Sequence, residues 1–247
     1  MGNFRLMNSP LISIITTVYN CDKFIREAIN SIYNQTFKDF EFIIYNDCST
    51  DRTMNIILET LKELKIKKHI IINSIVGENL GCGYGRNKAI AKATGEYIAL
   101  YDGDDISFSS RLEKEVDFLE KNNNIFCVSA WAEVINEKGE HIKTFDYPPQ
   151  FYDDIKKEIL VNHNNPIIDP CSMFKREIFN KLGGYDKKWR LVPDFNLWTR
   201  AVQNGYKFAN LAEVLVDYRQ HPNSVTNKSK MAVVREHFKM CKEILSE

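Results

Sequence analysis

Asp102, Asp104 and Asp105 crowd a single glycine in the stretch YIALYDGDDIS, Tyr97 to Ser107. Two carboxylates about 4 Å apart repel by roughly 4 kcal/mol at the effective dielectric of a protein surface. Such a cluster calls for a compensating cation. Carboxylates at i and i+2 around a glycine can converge on a hard cation, Mg²⁺ or Mn²⁺, and leave coordination positions open for phosphate oxygens. An isolated D-x-D is more often a solvated turn, with Asp105 capping the following helix. Here the cluster ends an apolar run, Tyr97 to Tyr101, and that position favours a ligand site.

Three other stretches carry chemistry-bearing side chains. In NDCSTDRT, Asn46 to Thr53, helix capping accounts for one or two residues and leaves Asp47 to accept from a ring N–H such as N3 of uracil. Asp194, in LVPDFNLWTR, is placed near a helix start, either for the helix dipole or as a general base taking a proton from an acceptor hydroxyl. His221, in YRQHPNS, is either a surface histidine before a turn or an imidazole joining carboxylates around Mn²⁺. GENLGCGYGRN, Gly77 to Asn87, invites a dinucleotide reading. The glycine spacing is wrong for it, and no acidic residue follows about twenty positions on after a strand.

The elements that must position these groups alternate. LISIITT (Leu11 to Thr17) precedes a helix with Phe24, Ile25, Ala28, Ile29 and Ile32 on one face. FEFIIY (Phe40 to Tyr45), a helix with Ile56, Ile57, Leu61 and Leu64 inward, and HIIIN (His69 to Asn73) follow. A helix is predicted from Arg86 to Thr94 and a strand from Tyr97 to Tyr101. This alternation predicts an α/β fold with a mostly parallel sheet and helices on both faces. Ligands of such sheets bind outside the carboxyl ends of the strands, which puts Thr17, Tyr19, Asn20 and both acidic clusters on one rim.

The second half is predicted to be a smaller, more antiparallel part of the same domain. A helix opens with Ser110 and Glu113 at capping-box spacing. Strands at Ile125 to Trp131 and His141 to Phe145, a helix at Phe151 to Val161, a strand near Cys171 to Phe174, a helix ending at Gly183-Gly184 and a helix from Phe195 to Asn204 follow. A nucleotide-binding half at about 10–106 and an acceptor-side half at about 107–227 would then precede a C-terminal helix at 228–247. That helix spaces Met231, Val234, Phe238, Cys241 and Leu245 as one apolar face among Lys228, Lys230, Arg235, Lys239 and Lys242. It is expected to cover the core, with a basic membrane surface or a homodimer contact as the lesser alternatives.

Composition narrows the partners. Thirty-three basic residues balance thirty-three acidic ones in 247, so no global field attracts nucleic acid. Six dispersed cysteines suggest neither a disulfide framework nor a zinc site, and fit a reducing cytosol. MGNFRLMNSP lacks an apolar leader, Leu6 stands where myristoylation wants Ser or Thr, and no run approaches the ~18 apolar residues of a membrane span. A soluble, cytoplasmic protein is expected.

In chain order, SIITTVYN, YNDCSTDRT, NLGCGYGRN, EYIALYDGDD, LGGYD, PDFNLWTR and YRQHPNS together resemble an inverting glycosyltransferase of family 2 with the GT-A fold, over about residues 10 to 226. The resemblance implies that Thr17, Tyr19 and Asp47 hold the nucleotide, usually that of UDP, and that Arg86 orients Asp47 or approaches the phosphates. It implies Asp104 as the metal ligand, Asp102 on the ribose or a metal-bound water, His221 over the diphosphate and Asp194 as the base. Trp131, Trp189 and the segment 162–170 are the acceptor-side candidates. Family members often have an acidic pair where this chain has Pro193-Asp194, and no Q-x-x-R-W follows, which favours a soluble enzyme adding one sugar at a time; the resemblance itself implies a saccharide or lipid-linked acceptor at the inner membrane face. A decayed sugar-nucleotide-binding module and a nucleotidyltransferase are the competing readings; the latter would want a basic Gly-rich loop near the first strand, and Thr17 to Cys21 offers none.

Overall fold

The computed structural model describes residues 9–66, 68–75 and 77–244; Leu6 and Leu245, both weighed above, lie outside them. Its elements in order are β1 (Ile12–Val18), α1 (Ile25–Tyr33), β2 (Phe40–Asn46), α2 (Thr53–Glu63), β3 (His69–Asn73), α3 (Cys82–Ile90), β4 (Tyr97–Asp102) and β5 (Ile106–Ser107). There follow α4 (Arg111–Lys121), β6 (Ile125–Ile135), β7 (His141–Phe145), α5 (Tyr152–Leu160), a 3₁₀ turn (Asp169–Cys171) and β8 (Met173–Lys175). The remainder is α6 (Arg176–Lys181), α7 (Pro193–Gln203), β9 (Lys207–Arg219), α8 (Val225–Lys228) and α9 (Lys230–Ile244).

One sheet runs β3-β2-β1-β4-β8-β6-β9-β5, with β7 paired to β6. β3, β2, β1 and β4 are mutually parallel, while β8 joins β4 and β6 antiparallel. The apolar alternation of β1 sends Ile12 and Ile14 to a core shared with α1, α2 and α4. Ile15 faces the opposite core, under α3, α5, α7 and α9. Register puts Val18 beside Asn46, and Thr17 beside Asp102, so β1, β2 and β4 end on one rim as expected. The short β5 pairs with β9 through Ile106 and Asp217. That pairing draws the end of β9 at Arg219, and His221 just beyond it, to the DGDD turn.

Several local expectations are corrected. α3 begins at Cys82, four residues earlier than expected, so Gly83 and Gly85 lie inside the helix while Gly77 to Gly81 precede it. Ser110 makes no side-chain cap, and Glu113 instead accepts from Thr36 Oγ1 at 2.8 Å. In α9 the inward stripe is Val233, Met240, Cys241 and Ile244, with His237 stacked on Phe195 at 4.7 Å. Glu236 Oε1 accepts from the amide of Leu191 at 2.6 Å. These two anchors rotate the helix, so Cys241 is inward while Met231, Val234 and Phe238 face out.

Gly95 shows how tightly the strand starts are joined. Its amide donates to Ser13 Oγ at 2.9 Å, and Ser13 donates to Glu41 Oε1 at 2.6 Å. A Cβ at Gly95 would lie 2.6 Å from the Ser13 nitrogen, backbone that cannot step aside. Gly95→Ala is expected to cost about 1–3 kcal/mol, read as a fall in melting temperature of several degrees; an unchanged melt would refute this packing.

Candidate active site

A cleft of about 320 Å³ opens on the rim, lined among others by Thr17, Tyr19, Asp47, Arg86, Asp102, Asp104, Asp194 and His221. Every residue expected to serve nucleotide, metal or base is therefore in one cavity. The two tryptophans are not: Trp189 is buried under α9, and Trp131 Nε1 donates to Pro148 O at 3.4 Å, away from the cleft. Trp189 is spent on packing and on cation–π contacts from Lys188 and Lys239.

The crowding of three aspartates is offset by three separate partners. Asp102 Oδ1 accepts from Arg86 at 2.9 Å. Asp104 Oδ2 lies 2.9 Å from His221 Nε2. Asp105 Oδ1 accepts from the backbone amide of Arg219 at 2.8 Å, and Arg219 Nε donates to Asp104 O. Asp105 is thus a buried brace between β5 and β9 rather than a helix cap; burial, then Asp104 and Asp102, drive its pKa well above the usual range. Gly103 lets this turn sit against β1 and α1, since a Cβ there would meet Val18 Cγ1 at 3.0 Å.

Arg86 takes a role different from the expected one. It does not orient Asp47; from α3 it forks between Asp102 and Asp169 of the 3₁₀ turn. Asp169 also lines the cleft. Burial pushes its pKa up to about 7, against the pull of Arg86 and with a further push from Asp194. Sequence reasoning missed Asp169 and Arg219. The available signals were an aspartate against Pro170 in the segment named for the acceptor side, and an arginine within an otherwise strand-like run.

Asp47 is 3 % exposed and receives the amides of Leu80 and Gly81, at 3.0 and 2.9 Å on Oδ2. It therefore fixes the loop before α3, and burial raises its pKa. Thr17 stands one residue before the end of β1, and Tyr19, half exposed, stands at the mouth. Asp194 occupies the first turn of α7 after Pro193, whose fixed φ suits a helix start. Gly83 of α3 leaves the room Pro193 fills, since a Cβ there would come within 2.8 Å of it. Asn165 Nδ2 donates to Asp194 Oδ2 at 2.9 Å. Burial raises the Asp194 pKa, opposed by the Phe195 amide and Arg86.

Five carboxylates (Asp47, Asp102, Asp104, Asp169, Asp194) face two guanidinium groups (Arg86, Arg219) in this lining. Among the described residues no three His, Cys, Asp or Glu side chains form a ready metal cluster. Asp104 and His221 nevertheless offer a carboxylate and an imidazole side by side, and a small hard cation commonly takes one or two protein ligands and completes its shell with phosphate and water. The donor set fits a divalent ion that arrives with an anionic ligand.

Residues 13–183 match the family described as Glycosyl transferase family 2. An uncharacterized glycosyltransferase of Methanocaldococcus jannaschii is 38% identical over 214 residues, covering 86% of this chain and 72% of that protein. Among solved structures, Staphylococcus aureus TarS 1-349 in complex with UDP-GlcNAc superposes with a TM-score of 0.71 at 18% identity, over 94% of this chain and 67% of that one. The mannosyltransferase PcManGT of Pyrobaculum calidifontis, in complex with GDP-Man and Mn²⁺, gives 0.69 at 19%, over 96% and 68%. The fold is thus GT-A, and with more than half its length inside the family match the chain belongs to glycosyl transferase family 2.

Proposed function

We propose that this enzyme moves one sugar per encounter from a nucleoside-diphosphate sugar, most simply a UDP-sugar, to a hydroxyl of a saccharide or lipid-linked acceptor, inverting the anomeric carbon. The observation that carries the reading is the division of carboxylates within one cleft. Asp104 stands with His221 at the ends of β4 and β9, while Asp194 stands on α7, oriented by Asn165. A single displacement needs these two functions apart: charge neutralisation at the leaving group and a base at the nucleophile. Asp194 would take the proton of the acceptor hydroxyl, and Thr17, Tyr19 and the loop fixed by Asp47 would seat the nucleotide. Asp104 and His221 would hold a divalent ion, with Asp102 on the ribose or a metal-bound water; such an ion neutralises charge on a departing diphosphate. UDP-GlcNAc in one solved neighbour and GDP-Man with Mn²⁺ in another support a nucleotide sugar and a metal.

The nucleotide half, about 10–106, and the acceptor half, about 107–227, would then meet at Arg86, which reaches Asp102 in the first and Asp169 in the second. Cytoplasmic work on an acceptor at a membrane face is consistent with this reading; among the described residues no helix is long and apolar enough to cross a membrane.

The test is thermal unfolding with UDP, GDP, dTDP and CDP, each with and without Mn²⁺. Saturation at 100 times Kd adds about 2.7 kcal/mol, a shift of roughly 5–10 °C for a chain of this size. One nucleotide is expected to give that shift only with Mn²⁺, and Asp104→Ala to abolish the metal-dependent part. A full Mn²⁺-dependent shift in the Asp104→Ala protein would remove Asp104 as a ligand. No shift with any nucleotide would favour a decayed site.

A further inference from the structure

Helix α9 carries two apolar stripes and buries one. Met231, Val234 and Phe238 point outward, 65%, 40% and 69% exposed. At 3.6 residues per turn they fall within an arc of roughly 60°. Exposed basic side chains border them: Lys230, Arg235, Lys239 and Lys242. The two glutamates of the helix offset only part of this charge. Glu236 is turned inward onto the amides of Leu191 and Val192. Glu243 is shared between Lys188, in direct contact, and Lys239 at 4.0 Å.

The helix is anchored to the chain segment near the cleft. His237, next to Phe238, donates from Nε2 to His163 O at 2.9 Å. Two residues before His163, Val161 is 67% exposed. Two residues after it, Asn165 holds Asp194. The helix is therefore tied to the segment that holds Asp194.

We propose that this face of α9 docks the enzyme on an anionic lipid surface, with Met231, Val234 and Phe238 entering the interface and the flanking cations meeting lipid headgroups. Apolar area and attraction to anionic lipid together set the strength of such contacts. A second copy of the chain is the poorer occupant. Three outward side chains on one helix fall short of the ~800 Å² per partner that stable dimers bury, and apposed α9 helices would bring their basic residues together. Docking by this face would turn the Asp194 side of the cleft toward the bilayer, which rests on the proposed acceptor assignment; the docking itself does not.

The experiment is co-sedimentation of the full chain with vesicles of phosphatidylcholine alone or mixed with phosphatidylglycerol, at low and high salt, without donor or acceptor. The wild-type protein is expected to pellet with the mixed vesicles and to be released by high salt, because exposed charges are screened beyond a Debye length. Lys230→Gln with Arg235→Gln should weaken partitioning about 30-fold, taking ~1 kcal/mol per charge. Met231→Ser with Phe238→Ser should weaken it on the order of tenfold. Both sites are exposed, so melting temperatures and UDP shifts should match the wild type. Phe238→Trp should keep binding and shift its fluorescence to the blue on mixed vesicles. Wild-type protein left in the supernatant, equal binding to neutral vesicles, or undiminished binding by the Ser pair would each overturn the proposal. So would a doubling of mass with concentration in lipid-free light scattering that Phe238→Ser abolishes, since the face would then belong to a second copy.

Discussion

Asp194→Asn is expected to lower sugar transfer by about 10²–10⁴-fold, the usual contribution of a positioned general base, while leaving the Mn²⁺-dependent nucleotide shift within about a degree of the wild type. The substitution keeps size and keeps an oxygen able to accept from Asn165, so α7 and its neighbours are not disturbed. What it removes is the ability to bind the acceptor proton. The pH profile supplies a second readout. Burial raises the Asp194 pKa above the ordinary carboxylate value, and the base acts only when ionised. Activity should therefore fall, as pH is lowered, through a value above that of an exposed aspartate. In the Asn protein this acidic limb should vanish along with the rate. Near-normal turnover of the matched sugar nucleotide by the variant would take Asp194 out of this role.

The rim was legible because its signals are local. The apolar runs of β1, β2 and β4 are bounded by polar residues, and a parallel sheet brings their carboxyl ends together whatever the details of packing. Thr17, Asp47, Asp102 and Asp104 follow from that alone. Asp194 and His221 needed the family resemblance to join them, because they stand well over a hundred residues along the chain from β1. What could not be read depends on register and rotation. Arg86 does line the cleft, but its partners lie in β4 and in a 3₁₀ turn eighty-three residues away in sequence, and no periodicity connects them. The outward face of α9 was chosen wrongly because two stripes of that helix satisfy helical spacing. Only the anchoring of His237 and Glu236 on α7 and the segment before it selects between them.

The fate of the three aspartates follows from the same distinction. Sequence shows carboxylates close enough to need a cation, and one was expected from outside. The fold already supplies a partner for each, from α3, from β9 and from the segment after it. Only Asp104 is paired with a residue whose nitrogen could itself become a metal ligand. Asp105 is committed to bracing β5 against β9, and Asp102 shares Arg86 with Asp169. A ligand arriving at Asp104 therefore need not break the Arg86 and Arg219 contacts on either side of it.

Arg86→Met is expected to destabilise the protein by about 3–5 kcal/mol, the cost of leaving buried charge without its partner, a fall of roughly 6–20 °C in melting temperature. Arg86 is almost fully buried and joins Asp102 to Asp169, with Asp194 close enough to raise the pKa of both carboxyls. Methionine fills the space but neutralises neither. The deficit should depend on pH with a definite sign. A carboxyl whose folded pKa lies above its unfolded value binds more protons when folded, so its contribution is favourable in acid and is lost as pH rises through the folded value. For Asp169 that value is about 7 with Arg86 present, and removing the guanidinium that holds it down moves it higher. The gap between variant and wild type should therefore be widest near pH 8 and narrow toward pH 5, where the carboxyls can protonate in both proteins. Arg86→Lys should fall between, since one ammonium keeps the charge but lacks the planar fork that spans two carboxylates. Melting curves of the three proteins across that range decide the matter: a pH-independent gap would mean Arg86 acts by packing, and no gap at all would mean the cluster does not join the two halves.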